Sequence, residues 1–86
     1  MNFYMIKPRS SVNKYAKIAF SELSEKGRVE FQAIGTAAVN NAVKAASKAV
    51  GMVFLSGKSA AQNVIYGTTE SDGKTVDTVR IRIKLT

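Results

Sequence analysis

The stretch from Val29 to Gly51, V-E-F-Q-A-I-G-T-A-A-V-N-N-A-V-K-A-A-S-K-A-V-G, constrains the fold more than any other part of the chain. A β-rich run passes through one glycine straight into an alanine-rich helix. In Arg28 to Ile34, Val29, Phe31 and Ala33 fall on one face and Glu30, Gln32 and Ile34 on the other, the period expected of a strand covered on one side. Gly35 makes the turn, and Thr36 is the expected N-cap of the helix that follows. At 100° per residue, Val39, Val43, Ala46 and Val50 form the centre of an apolar arc flanked by Ala38, Ala42, Ala45 and Ala49, while Asn40, Asn41, Lys44, Ser47 and Lys48 take the polar side. So much alanine lets the helix approach a sheet or a second helix closely. The helix either stops at Gly51 or runs on through Met52, Val53 and Phe54.

The rest of the chain supplies partners for this unit. Phe3 to Lys7 is an apolar run of strand length, ended by Pro8, which lacks an amide donor for a strand ladder. Ser10 or Ser11 then caps a helix from Val12 to Lys26, whose Val12, Tyr15, Ala16, Ala19, Phe20 and Leu23 share one arc, with Ile18 at its edge as a contact for another subunit or a singly exposed residue. Gly27 ends that helix. Ser56 to Asn63 reads as a loop, Val64 to Thr68 as a strand, and Asp72-Gly73 as a hairpin turn. The last strand alternates plainly, with Val79, Ile81, Ile83 and Leu85 opposite Thr78, Arg80, Arg82 and Lys84. The expected order is β-α-β-α-β-β in a single domain. It makes a two-layer α/β sandwich, a four-stranded mixed sheet with two helices on one face, parallel neighbours across each helical connection and an antiparallel final hairpin.

Thirteen Lys and Arg against six Asp and Glu give a net charge of +7, which attracts polyanions through release of condensed counterions. The charge is clustered: Lys7, Arg9, Lys14 and Lys17 lie in a segment without acids, as do Lys44, Lys48 and Lys58, whereas Glu22, Glu25 and Glu30 lie between them. Without cysteine or histidine there is no thiolate, no imidazole base and no nitrogen ligand for a transition metal, so no enzyme, metal or other cofactor is expected. The chain begins without the build of a signal peptide, and no apolar run nears the roughly 20 residues that span a bilayer. A cytoplasmic protein is expected, nucleoid-associated if its partner is DNA, with no membrane and no small-molecule substrate.

At Arg9-Ser10-Ser11, at Glu30-Phe31-Gln32-Ala33-Ile34-Gly35, and at Asn40/Asn41-Ala42-Val43-Lys44-Ala45 with the closing Gly51, the sequence resembles the bacterial stage V sporulation protein S (SpoVS) family. The likeness is closest up to Gly51 and continues in pattern through the last third. That family is similar in fold to Alba, the archaeal chromatin protein, and to the C-terminal domain of translation initiation factor 3. The resemblance implies a small homodimeric nucleic-acid-binding protein with a role in developmental or gene-expression control. In Alba-like proteins a basic segment after the first strand meets nucleic acid, and Lys7-Pro8-Arg9 stands there; the turn and first helical positions after the second strand also contribute, here Gly35, Thr36, Asn40 and Asn41. Three departures stand out. Small and amide residues replace Alba's arginines in that second region, which argues against strong duplex binding. The final hairpin carries Glu70 and Asp72 at its tip, a poor arm for DNA, and Val12 stands where the family commonly has proline.

The candidate nucleic-acid-binding residues are therefore Lys7, Arg9, Ser10, Ser11, Lys14 and Lys17 around the start of the first helix, where backbone amides also favour phosphate. Asn40, Asn41, Lys44 and Lys48 on the second helix follow, then Arg80 and Arg82 on the last strand. The bland readings are solvated charged faces for the lysines and a cross-sheet ion pair with Glu30 for the arginines. Tyr4, Tyr15 and Tyr66 are the stacking candidates, with Tyr15 expected in the core. A protein-interaction module whose basic charge meets an acidic regulatory partner is the alternative function.

Overall fold

A computed structural model describes residues 3–86. The elements run β1 (Phe3–Ile6), α1 (Val12–Lys26), β2 (Arg28–Ile34), α2 (Thr36–Leu55), β3 (Ala60–Ser71) and β4 (Lys74–Leu85). The order is the expected one, and the elements form a four-stranded mixed sheet with two helices. Helix α2 continues past Gly51 to Leu55, and β3 begins at Ala60, so the expected loop over Ser56 to Asn63 shrinks to the residues before Ala60.

The strands lie in the order β1-β2-β4-β3. β1 is parallel to β2, whereas β4, not β3, takes the other side of β2, antiparallel to it. The expected parallel pairing of β2 with β3 is thus replaced by insertion of β4 between them. The reason lies in the side chains. A central strand is covered along its apolar face, and Val79, Ile81 and Ile83 of β4 fill that face completely, whereas no residue of β3 is fully buried. In the β2–β4 register Val29 stands opposite Ile83, Phe31 opposite Ile81 and Ala33 opposite Val79, so the apolar columns coincide.

Phe31 is completely buried at the centre, a burial worth about 1.5–3 kcal/mol. Tyr4 and Tyr15 meet it edge to face, with ring centroids 6.5 and 6.2 Å away. Tyr15 is therefore in the core, as expected, and Tyr4 joins it. Ala19 and Leu23 of α1 are buried on the same cluster, and Ala16 of that helix is buried as well. Helix α2 departs from the expected arc: its alanines Ala38, Ala42, Ala45, Ala46 and Ala49 are buried, while Val43 and Val50 are only half-buried. The alanine stripe seats α2 against α1, β2 and β4, and that seating rotates the valine edge towards β3, which is too exposed to cover it.

Helix α1 is capped as expected, with the Ser11 Oγ accepting the Lys14 amide at 3.2 Å. The start of α2 is different. Gly35, not Thr36, is the cap residue, and it makes no side-chain cap bond. Its backbone sits at φ 95° and ψ 148°, and its amide donates to the Asp77 carbonyl at 2.7 Å, pinning the β2–α2 turn to β4. Beyond this point β3 and β4 form a two-stranded arm, which gives the molecule its 46 Å long axis. Asp72 and Gly73, both at positive φ, turn its tip. Among the described residues no helix is long and apolar enough to cross a membrane.

A Cβ at Gly35 would meet open space, so backbone strain alone separates glycine from alanine there. Gly35→Ala is expected to cost about 1–3 kcal/mol in a denaturant titration. A cost below about 0.5 kcal/mol would show that the turn relaxes without penalty.

Candidate nucleic-acid interface

The turn between β1 and α1 is built by its serines. The Ser10 Oγ accepts the Lys7 amide at 2.8 Å while the Ser10 amide donates to the Lys7 carbonyl at 3.0 Å, closing the loop around Pro8. Both Ser10 and Ser11 accept backbone N–H groups and so keep their own hydroxyl protons to donate. Asn41 then reaches across from α2: its Nδ2 donates to the Pro8 carbonyl at 2.8 Å and to the Lys7 carbonyl at 3.3 Å. Two turns further along α2, the Lys48 Nζ donates to the Asn13 Oδ1 in the first turn of α1.

These bonds place the β1–α1 turn against the polar side of α2. Lys7, Arg9, Lys14 and Lys17 therefore share a surface with Lys44 and Lys48, two clusters separated by more than twenty residues of chain. All six are exposed, and among the described residues none has an acidic partner. The amides of the first turn of α1 open onto the same surface, so cations, hydroxyl protons and the positive end of a helix dipole converge. Asn41 is committed to holding the turn, which makes it a positioning residue. Asn13, which sequence reasoning passed over, holds Lys48; an asparagine in a helix's first turn carries no signal until the neighbouring helix is known.

Other candidates lie elsewhere. Asn40 turns away from Asn41 and lines a groove of about 520 Å³ with Thr36, Val39, Val43 and Tyr66. Tyr66 is 64% exposed, the one tyrosine outside the core cluster. Arg80 and Arg82 stand on the sheet face opposite the helices, so they do not join the lysine surface. There the Arg82 Nε donates to the Glu30 Oε1 at 2.9 Å and the Arg80 Nε to the Glu30 Oε2 at 3.4 Å, while the Gln32 Nε2 donates to the same Oε2 at 2.6 Å. The cross-sheet ion pair is thus formed, and Glu30 is only 3% exposed. Burial by itself would raise the Glu30 carboxyl; hydrogen bonds from Gln32 and Arg82 and the charge of Arg80 outweigh it and hold the carboxyl below the ordinary carboxylate range. On α1, Glu22 is likewise lowered, by hydrogen bonds from the Tyr4 hydroxyl at 2.6 Å and from Lys26.

A carboxylate with a depressed folded pKa stabilises the protein above the unfolded value, and that stability is lost as pH falls through the folded one. Hydrogen bonds to charged groups contribute about 1.5–3 kcal/mol, discounted here because both guanidinium groups are about half exposed. Glu30→Gln is expected to lower stability at pH 7 by about 1–2 kcal/mol, and the gap from the parent protein to close as pH falls below about 4. Urea titrations over pH check this; a gap independent of pH would refute the assignment.

Comparison with known proteins agrees with this architecture. The solved structure of Alba from Thermoplasma volcanium superposes with a TM-score of 0.69, covering 96% of this chain and 99% of its own, at 13% sequence identity. At that identity the likeness is one of fold. The sequence profile of stage V sporulation protein S (SpoVS) matches residues 4–86, nearly the whole chain. The chain belongs to the stage V sporulation protein S family and carries it on an Alba-like fold.

Proposed function

We propose that this protein is a homodimeric nucleic-acid-binding protein that reads phosphate backbone and shape with little base specificity, and that it regulates gene expression or development through binding and not catalysis. The observation that carries this reading is the exposed lysine and arginine surface where the β1–α1 turn meets α2, with no acid paired to it among the described residues. The resemblance noted in the sequence supports it, since a basic segment after the first strand is the nucleic-acid contact it implies. With neither histidine nor cysteine in the chain, imidazole and thiolate chemistry have no carrier.

A second copy of the chain is the partner proposed for the apolar band left uncovered beside β3. Val64 and Tyr66 face the helix side, beside the half-buried Val43 and Val50 of α2, and Phe54 and Leu55 are 73% and 85% exposed. A domain of this size gains needed burial from association.

Titration of labelled duplex DNA, single-stranded DNA and RNA should show affinity falling steeply with salt, and Lys7→Ala with Arg9→Ala should reduce the logarithmic salt slope by about 2. Absence of binding to every polymer at low salt would end the reading and favour an acidic protein partner. In sedimentation, Tyr66→Asp is expected to convert dimers to monomers; dimers that survive unchanged would place the interface elsewhere.

A further inference from the structure

We infer that the sheet face opposite the helices is a second binding surface, and that its occupant is an extended single strand of nucleic acid held by Arg80 and Arg82, which Glu30 positions. The inference rests on the nucleic-acid reading above but uses a different face of the molecule.

This face is uncovered, and its residues fall in rows across the sheet. Arg28 stands opposite Lys84, Glu30 opposite Arg82 and Gln32 opposite Arg80. Phe3 and Met5 of β1 flank Glu30 and Gln32, and Asn63 and Ile65 of β3 flank Arg82 and Arg80. Four cations against one carboxylate leave a net charge of +3 on a surface whose margins are apolar: Phe3 and Ile34 are each 50% exposed, Ile65 43% and Met5 39%. That charge opposes a second copy stacking here face to face and favours an anion.

The geometry of the arginines narrows the anion. Both bind Glu30 through Nε, so the donors on Nη1 and Nη2 remain without a protein partner among the described residues, on side chains that are about half exposed. One buried carboxylate therefore fixes two planar forks side by side, with their bidentate edges free for phosphate oxygens. Successive outward residues of a strand stand about 6.8 Å apart, so Arg80, Arg82 and Lys84 form a ladder comparable with the phosphate repeat of an extended single strand. The half-exposed Phe3, Met5, Ile34 and Ile65 offer apolar surface to bases that only an unpaired strand can turn towards them. A hollow of about 270 Å³ beside Arg80, lined by Met5, Gln32, Ile34 and Thr78, gives one such base or sugar a seat.

Fluorescence anisotropy with a labelled oligothymidylate and a labelled mixed-sequence duplex tests this. Arg80→Ala with Arg82→Ala is expected to weaken oligothymidylate binding about tenfold and to leave the duplex within about twofold, while Lys7→Ala with Arg9→Ala does the reverse. Arg80→Lys with Arg82→Lys keeps the charge facing Glu30 and guards against a folding failure; lacking the forks, it is expected to lose about threefold. Glu30→Gln discriminates best. It makes the face more positive, so attraction alone predicts tighter binding, whereas a glutamine offers one oxygen where two arginines need two, and positioning predicts about threefold weaker binding. Tighter binding by Glu30→Gln, unchanged oligothymidylate affinity in the double alanine variant, or a polyglutamate peptide displacing the strand at equal concentration would each overturn the inference. If the parent protein binds neither probe, the proposed function falls with it. If binding responds only to Lys7 and Arg9, this inference alone falls.

Discussion

The close seating of α2 through its alanines is the constraint on which the rest of the structure depends. Ala38, Ala42, Ala45, Ala46 and Ala49 are essentially without solvent exposure, and because they are short, the helix backbone comes near both α1 and the sheet. Dense interiors tolerate little change in such a contact. The same approach brings Asn41 within reach of the Lys7 and Pro8 carbonyls and Lys48 within reach of Asn13. Core packing and the basic surface are thus two sides of one helix placement.

A second theme is how the chain disposes of its acids. Six acidic side chains accompany thirteen basic ones, and two of them are engaged away from the β1–α1 turn: Glu30 under Arg80 and Arg82, and Glu22 with Tyr4 and Lys26. Glu70 and Asp72 sit at the far tip of the β3–β4 arm. The lysine surface is left uncompensated, and its field is correspondingly strong at low ionic strength. The buried carboxylate also differs from the others in kind. Removing its partners would strand a charge in the sheet, whereas exposed pairs such as Glu22 with Lys26 contribute little.

Much of this was legible along the chain, because the informative signals are local. Pro8, Ser11, Gly27 and the Asp72-Gly73 turn bound their elements where backbone chemistry requires, and the alternation in β2 and β4 assigned the core-facing residues Val29, Phe31, Ala33, Val79, Ile81 and Ile83. The cations of the candidate site were legible as charge clusters, and the family resemblance directed attention to Lys7 and Arg9. The failures share a different character. β3 was read as short and preceded by a loop because its side chains are nearly all exposed, so it lacks the burial pattern by which strands are recognised; its order comes from hydrogen bonding to β4 along its whole length. Thr36 looked like a cap because threonine has the right oxygen, but Gly35 already supplied the turn by a backbone conformation that no sequence period encodes.

The sequence by itself determined the order of the elements, the core-facing residues of α1, β2 and β4 and the excess of positive charge, since each follows from residue type and spacing within one segment. Tertiary structure alone decided which strand stands beside β2, which edge of α2 is left bare, and which polar residues meet. Asn41 became a brace for the first turn, Asn40 was sent to a groove with Tyr66, and Glu30, already one expected partner for the arginines, became almost fully buried beneath both of them. These outcomes depend on register between segments distant in sequence. Register is set by how whole faces pack together, a property that no local stretch carries.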